Sequence, residues 1–353
     1  LDFKIKIFFK FRSIIFGKNQ FKGIIMKKVV ILLFFSTFLL ADSNLSGKVF
    51  FNHTTDLDEN GMNAFKMKRA YLSYANSVSD DLFYNVTYDM GNNDGGSAYT
   101  AFLKVAMLRW KTNLGDVTLG MQGMNMFKTM ENTWGHRFIA KMPMDTYGFS
   151  SSADLGVGLS RSFGAVSTSA LITNGGGYKM TETDSHKKLS FHAVYGETKL
   201  NNNAGFNVGA SFSYESYDQE IIGDFDYDPN TIMPEDSTMI SLESSGVLGL
   251  FGGYSGNGIR AGLEYDKKGI KGQNSQIISA YATVKVLDKI SILGRFDQFD
   301  ANTDFDGGLE QSIIAGVHYN AENGLTIAPT LRITRPEEGD TENSIVVNFQ
   351  FKF

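Results

Sequence analysis

The chain has 353 residues, with 33 Lys or Arg against 38 Asp or Glu, 13% aromatic residues and no cysteine. The first 41 residues hold eight of the basic and one of the acidic residues, leaving 25 against 37 and a net charge near −12 in the remainder. That balance argues against nucleic-acid binding, and the lack of thiols suits export into an oxidising compartment. Beyond Ala41 no apolar run approaches the roughly 20 residues of a membrane helix, so any membrane insertion must use strands.

Residues 1–25 begin with Leu and are rich in Phe, Ile and Lys. They read as an upstream extension outside the fold, with Met26 as the start; a long, basic leader is the other reading. Met26-Lys27-Lys28, the apolar run Val29 to Leu40 and the polar Asp42-Ser43-Asn44 have the three-part layout of a secretory signal. Residues 26–41 are therefore expected to be removed, with Leu39 a large residue near the cut.

From Leu45 onward the chain alternates apolar and polar residues and is punctuated by Gly, Asn and Asp. Sixteen segments are predicted to begin near Ser46, Ala64, Leu82, Tyr99, Asp116, Asp154, Ala165, Lys188, Phe206, Val247, Ile259, Ser275, Lys289, Glu310, Leu325 and Asn343. Most match the roughly 9–11 residues of a tilted membrane-crossing strand. Short connections such as Asn113-Leu114-Gly115 and Gly256-Asn257-Gly258 alternate with longer ones, notably Met124 to Ala153, Gly175 to Lys187 and Gln219 to Gly246. In the last strand Ile345, Val347, Phe349, Phe351 and Phe353 are apolar, with polar residues between them except at Val346. The expected fold is all-β: a transmembrane antiparallel β-barrel of sixteen strands over 42–353, apolar toward lipid and polar toward water. A soluble sandwich would show the same alternation; the leader, the terminal Phe and the unequal loops decide between them. Pro329 sits awkwardly in the fifteenth strand, where a bulge is expected.

A barrel this wide encloses a water channel. The segment 124–153 is expected to fold inward and narrow it, with Lys128, His136, Arg137 and Lys141 along one wall and Glu131 and Asp145 opposite. A short helix would bring Arg137 and Lys141 to one face. Strand parity turns Arg69, Arg109, Arg260, Lys285, Arg295 and Arg332 inward, with Asp89, Glu264 and Asp297. Six basic against three acidic groups lean toward anions, unless they neutralise one another across the wall. The inward faces read as mostly Gly, Ser, Thr, Asn and charge.

Phe65-Lys66-Met67-Lys68-Arg69-Ala70-Tyr71-Leu72, Tyr88-Asp89 after Asn85, and Ser152-Ala153-Asp154-Leu155-Gly156-Val157 resemble the phosphate-selective porin O and P family. The resemblance implies a homotrimer of sixteen-stranded barrels in the outer membrane, in contact with lipid and lipopolysaccharide, passing ions and small hydrophilic solutes. Phosphate-selective members carry a dense run of Arg and Lys at the constriction. This chain has a thinner set mixed with carboxylates, so a less discriminating pore is expected.

The alternating Asp300, Asn302, Asp304 and Asp306 partly imitate a calcium loop, but Ile313 stands where a Glu is wanted. Asp224, Asp226 and Asp228 alternate similarly, and both sets read as solvated loop charge. The five histidines show no Ser-His arrangement and no metal spacing. No enzymatic activity, cofactor or metal is expected. The rival function is a structural or adhesive barrel with a closed lumen, which large inward aromatic residues would favour.

Overall fold

The computed structural model describes residues 44–58, 61–91, 99–182, 185–222 and 238–353. Residues 1–25 and 26–41, read above as an upstream extension and a secretory signal, and the alternating Asp224, Asp226 and Asp228 lie outside the described residues. The strands are β1 (Leu45–Asp56), β2 (Asn63–Ser77), β3 (Leu82–Gly91), β4 (Thr100–Thr112), β5 (Gly115–Gly123), β6 (Ala153–Phe163), β7 (Val166–Thr173), β8 (Lys188–Gly196), β9 (Gly205–Ile222), β10 (Thr238–Gly256), β11 (Ile259–Ile270), β12 (Gln273–Leu287), β13 (Ile290–Asp300), β14 (Leu309–Glu322), β15 (Leu325–Pro336) and β16 (Glu342–Lys352). Each pairs antiparallel with its sequence neighbours, and β1 pairs with β16, so the sixteen strands close into a barrel with no free edge.

Fifteen strands begin within two residues of their predicted starts. The exception is β10, which starts at Thr238 rather than Val247 and pairs with β9 from Ile222 onward. The two form a hairpin longer than a bilayer crossing needs, so part of the span read as loop is paired strand. Pro329 causes no bulge. Gly316 pairs with Thr330 and Tyr319 with Ile327, so the register is unchanged across the proline, and only the pairs between them are missing from the ladder. Thr326, Ala328 and Thr330 all stay buried on one face.

The outer surface carries a broad apolar band. Leu263, Val208, Phe191, Val157 and Ile345 are exposed, while their strand neighbours Glu264, Asn207, Ser190 and Val346 are buried. Near the short turns, Tyr74, Trp110, Phe163, Tyr195, Phe206, Tyr254, Tyr319 and Phe351 all face outward and exposed. This is the aromatic girdle of a membrane interface. Among the described residues no helix is long and apolar enough to cross a membrane.

Inside, the segment between β5 and β6 carries two short helices, α1 (Lys128–Trp134) and α2 (Pro143–Thr146). Met126, Phe127, Met130, Trp134, Phe138, Ile139, Met142, Met144 and Phe149 from this segment are buried in one cluster with the wall residues Phe50, Val247, Phe251, Ile277, Tyr281, Leu293 and Ile314. The inward faces, read from sequence as mostly Gly, Ser, Thr, Asn and charge, thus include an apolar area as well. Where the loop rests on the wall they are apolar and aromatic. Val346, the one break in the pattern of β16, is also a buried inward residue, 2% exposed.

Candidate functional site: a basic passage beside the inward loop

The loop leaves open a polar space of about 220 Å3 lined by Arg69, Arg137, Lys141, Asp145, Tyr178 and Lys179, with Ser151, Ser152, Gly176 and Gly177. Its charges come from three places: β2, the inward loop, and the β7–β8 connection. Arg137 and Lys141 do not share a helix, because α1 ends at Trp134 with Gly135 in the left-handed conformation (φ 71°). Asp145 joins them instead, at 3.5 Å from Arg137 and 3.4 Å from Lys141. Glu131 also lies 3.8 Å from Arg137 and 3.3 Å from Lys128. The carboxylates expected on the opposite wall are thus paired with the bases of their own loop. Lys128 points elsewhere, into a separate space of about 280 Å3 bounded by β5, β6 and β7.

Two bulges shape the wall. Phe50 pairs with Arg69 but Phe51 with Met67, leaving Lys68 as an extra residue in β2. Thr87 pairs with Val105 but Tyr88 with Leu103, leaving Lys104 as an extra residue in β4. A bulge re-aims side chains out of simple alternation, and here both extra residues are lysines. Lys104 reaches to 3.7 Å from Asp89 and lies over the rings of Tyr71 and Tyr178 at 5.2 and 5.1 Å. The ammonium of Lys68 interacts with the charges of Arg332, Arg137, Lys66 and Lys141. Neither lysine was found by parity counting, which fails at an extra residue.

Asp89 organises this wall. It is fully buried, and its Oδ2 accepts from Arg69 Nη1 at 3.1 Å and from the Tyr178 hydroxyl at 2.7 Å. Burial and the Asp89 charge push the Tyr178 phenol above its ordinary range, keeping it a hydrogen-bond donor.

The remaining predicted residues are also inward, but several hold the loop rather than face the open passage. Arg260 donates to the Trp134 carbonyl at 3.0 Å, Arg295 to that of Lys141 at 2.7 Å, and Arg332 to that of Ile139 at 2.5 Å. Asp297 accepts two bonds from Arg295 Nε at 2.8 Å. His136 is turned away from the open space and 3% exposed, bonded to Thr283 and Arg260. Burial, then the Arg260 charge, holds its imidazole well below the usual range, so it is neutral. Glu264 is buried in the wall of β11. Arg109 lies over Phe83 at 4.7 Å, and Lys285 pairs with Asp288 by the short turn after β12. Asp300 and Asn302 accept backbone N–H groups within their own loop.

A closed sixteen-strand barrel, greasy outside and narrowed by a loop held inside it, defines an outer-membrane channel of the porin class. Residues 48–238 match the model of the family described as phosphate-selective porin O and P, and the chain belongs to that family. No curated protein matches the chain significantly. Among solved structures it is similar to OprB of Pseudomonas putida, with 12% identity, a TM-score of 0.65 and coverage of 90% of this chain and 96% of that one. It is similar also to the outer membrane channel DcaP of Acinetobacter baumannii (11% identity, TM-score 0.61, coverage 88% and 97%). The anion-selective porin from Comamonas acidovorans is a further likeness, at 12% identity and TM-score 0.59, covering 88% and 98%. At such identities these likenesses speak for the fold.

Proposed function

We propose that the channel passes ions and small hydrophilic solutes by passive diffusion, with a mild preference for anions set beside the inward loop. One observation carries this reading: the open passage is lined by four cationic side chains, Arg69, Arg137, Lys141 and Lys179, against one carboxylate, Asp145. Fixed charge at a narrow point biases which ions enter, and the low dielectric of the surrounding wall strengthens that bias. Asp89 and Asp145 each sit on a cation, so they lower the field without abolishing it. The preference is therefore weaker than a bare row of arginines would impose, and no single anion is held tightly. The protein is further proposed to be a homotrimer in contact with lipid and lipopolysaccharide, reached after removal of residues 26–41.

A closed, structural barrel is the second reading. It is favoured by the inward aromatic cluster of Phe50, Phe251, Tyr281, Trp134, Phe138 and Phe149. Reconstitution in planar bilayers separates the two. The channel reading expects stepwise conductance and a reversal potential of anion-selective sign in a potassium chloride gradient. Replacing Arg137→Ala with Lys141→Ala moves that potential toward zero. Folded protein without conductance rejects the channel, and an unchanged potential in the double variant removes these two residues from the narrow point.

A further inference from the structure

Away from the basic passage, on the opposite stretch of wall, β11 turns two carboxylates inward in succession. Glu264 is 3% exposed and Asp266 is 0% exposed. None of their four carboxylate oxygens takes a hydrogen bond from a protein donor. Ser211 Oγ, on a residue 1% exposed, is likewise without a partner. Ser211, Gly249 and Asp266 are in register across β9, β10 and β11, so they form one row on the inner face. The middle member has no side chain. The position a Cβ would take at Gly249 is 2.7 Å from Ser211 Oγ, 2.9 Å from Asp266 Oδ1 and 2.5 Å from Met144 Cε. The missing side chain thus lets two oxygens converge over the bare backbone of Gly249, a small cradle in which the methyl of Met144, from the inward loop, is the nearest atom.

Two buried negative charges without a counter-charge are too costly to persist. The charge of Arg295 bears on Glu264, but its guanidinium is committed to Asp297, which also takes the Ser279 hydroxyl at 2.5 Å. Neutralisation by protons is the competing arrangement, each new O–H donating to a neighbouring oxygen, and it predicts no retained metal. An all-oxygen donor set with two carboxylates equally suits a hard cation. The geometry points to a binding site for a hard divalent cation of the calcium class, formed by Glu264, Asp266 and Ser211 around the Gly249 cradle. The proposal does not rest on the selectivity of the basic passage and stands whether or not the channel prefers anions.

The test uses the folded full barrel in detergent, stripped with a chelator and re-equilibrated with calcium chloride. Native protein is expected to retain one calcium per chain after gel filtration, where exposed loop carboxylates release theirs, and to unfold at a higher temperature with calcium than without. Ser211→Ala is expected to weaken retention about ten-fold. Glu264→Gln with Asp266→Asn abolishes both retention and the calcium-dependent shift. Gly249→Ala, which keeps both carboxylates and fills the cradle, does the same, and decides the matter if the double variant does not fold. Native protein that retains no calcium overturns the proposal. So does equal retention by native protein and Gly249→Ala.

Discussion

Asp89 shows how one residue can tune a passage without blocking it. Its Oδ2 gathers Arg69, Lys104 and Tyr178, so a single carboxylate holds three side chains that narrow the lumen. Asp89→Asn keeps the shape and the acceptor oxygen but removes one negative charge. The expected result is a reversal potential shifted further toward anions, with conductance retained; a shift toward cations or none would place Asp89 outside the ion path. Losing the charge also leaves Arg69 less well partnered, and breaking a buried pair costs about 3–5 kcal/mol. Lower thermal stability is thus expected alongside the altered selectivity. Asp89 and Arg69 were legible from parity, because β3 has no extra residue and Arg69 lies on the regular side of the β2 bulge. Lys68 and Lys104 were not, since a single extra residue inverts the count and leaves no mark in composition.

At the scale of elements, the strands were readable because lipid outside and water inside impose period two along nearly every segment. The inward loop was readable in position but not in character. Its charges Lys128, Glu131, Arg137, Lys141 and Asp145 drew attention, yet Met126, Phe127, Met130, Phe138, Ile139, Met142 and Met144 determine where it packs. So many apolar residues do not fit a solvated loop, and that density was the available signal. Their partners, Phe251, Ile277 and Tyr281 among them, lie on strands far away in sequence, so the contact surface could not be paired in advance. Gly135 is a sensitive point of this element. It ends α1 at φ 71°, and an added Cβ would fall 2.6 Å from the Arg260 guanidinium. Gly135→Ala meets both the left-handed penalty of roughly 1–2 kcal/mol and displacement of Arg260 from the Trp134 carbonyl. The expected outcome is a loop less firmly held, seen as noisier single-channel current with the barrel intact. Unaltered current noise would mean that Arg260 does not secure the loop.

At the scale of the whole molecule, the two faces of the wall answer to two solvents. Period two identifies a face as apolar but not what covers it, and the alternation of short turns with long loops was the legible sign that favoured lipid over a second sheet. Two positions on one strand, three residues apart, test that choice directly. Val157 of β6 faces outward and is 50% exposed, while Ser160 lies on the opposite, inner face and is also exposed. Arginine at a mid-bilayer lipid-facing position costs about 2–4 kcal/mol, whereas substitutions facing the lumen chiefly tune selectivity. Val157→Arg is therefore expected to lower stability in lipid vesicles by about that amount, measured by denaturant titration of the folded barrel. Ser160→Arg is expected to leave stability nearly unchanged and to add a fixed positive charge to the channel. The asymmetry carries the argument. A protein layer around the barrel would tolerate a charge at its rim and penalise overfilling on either side. A hydrocarbon surround penalises only the outward charge, because an arginine there finds neither water nor a counter-ion within reach of the strand centre. Equal loss at the two positions would mean that something other than lipid wets the outer face.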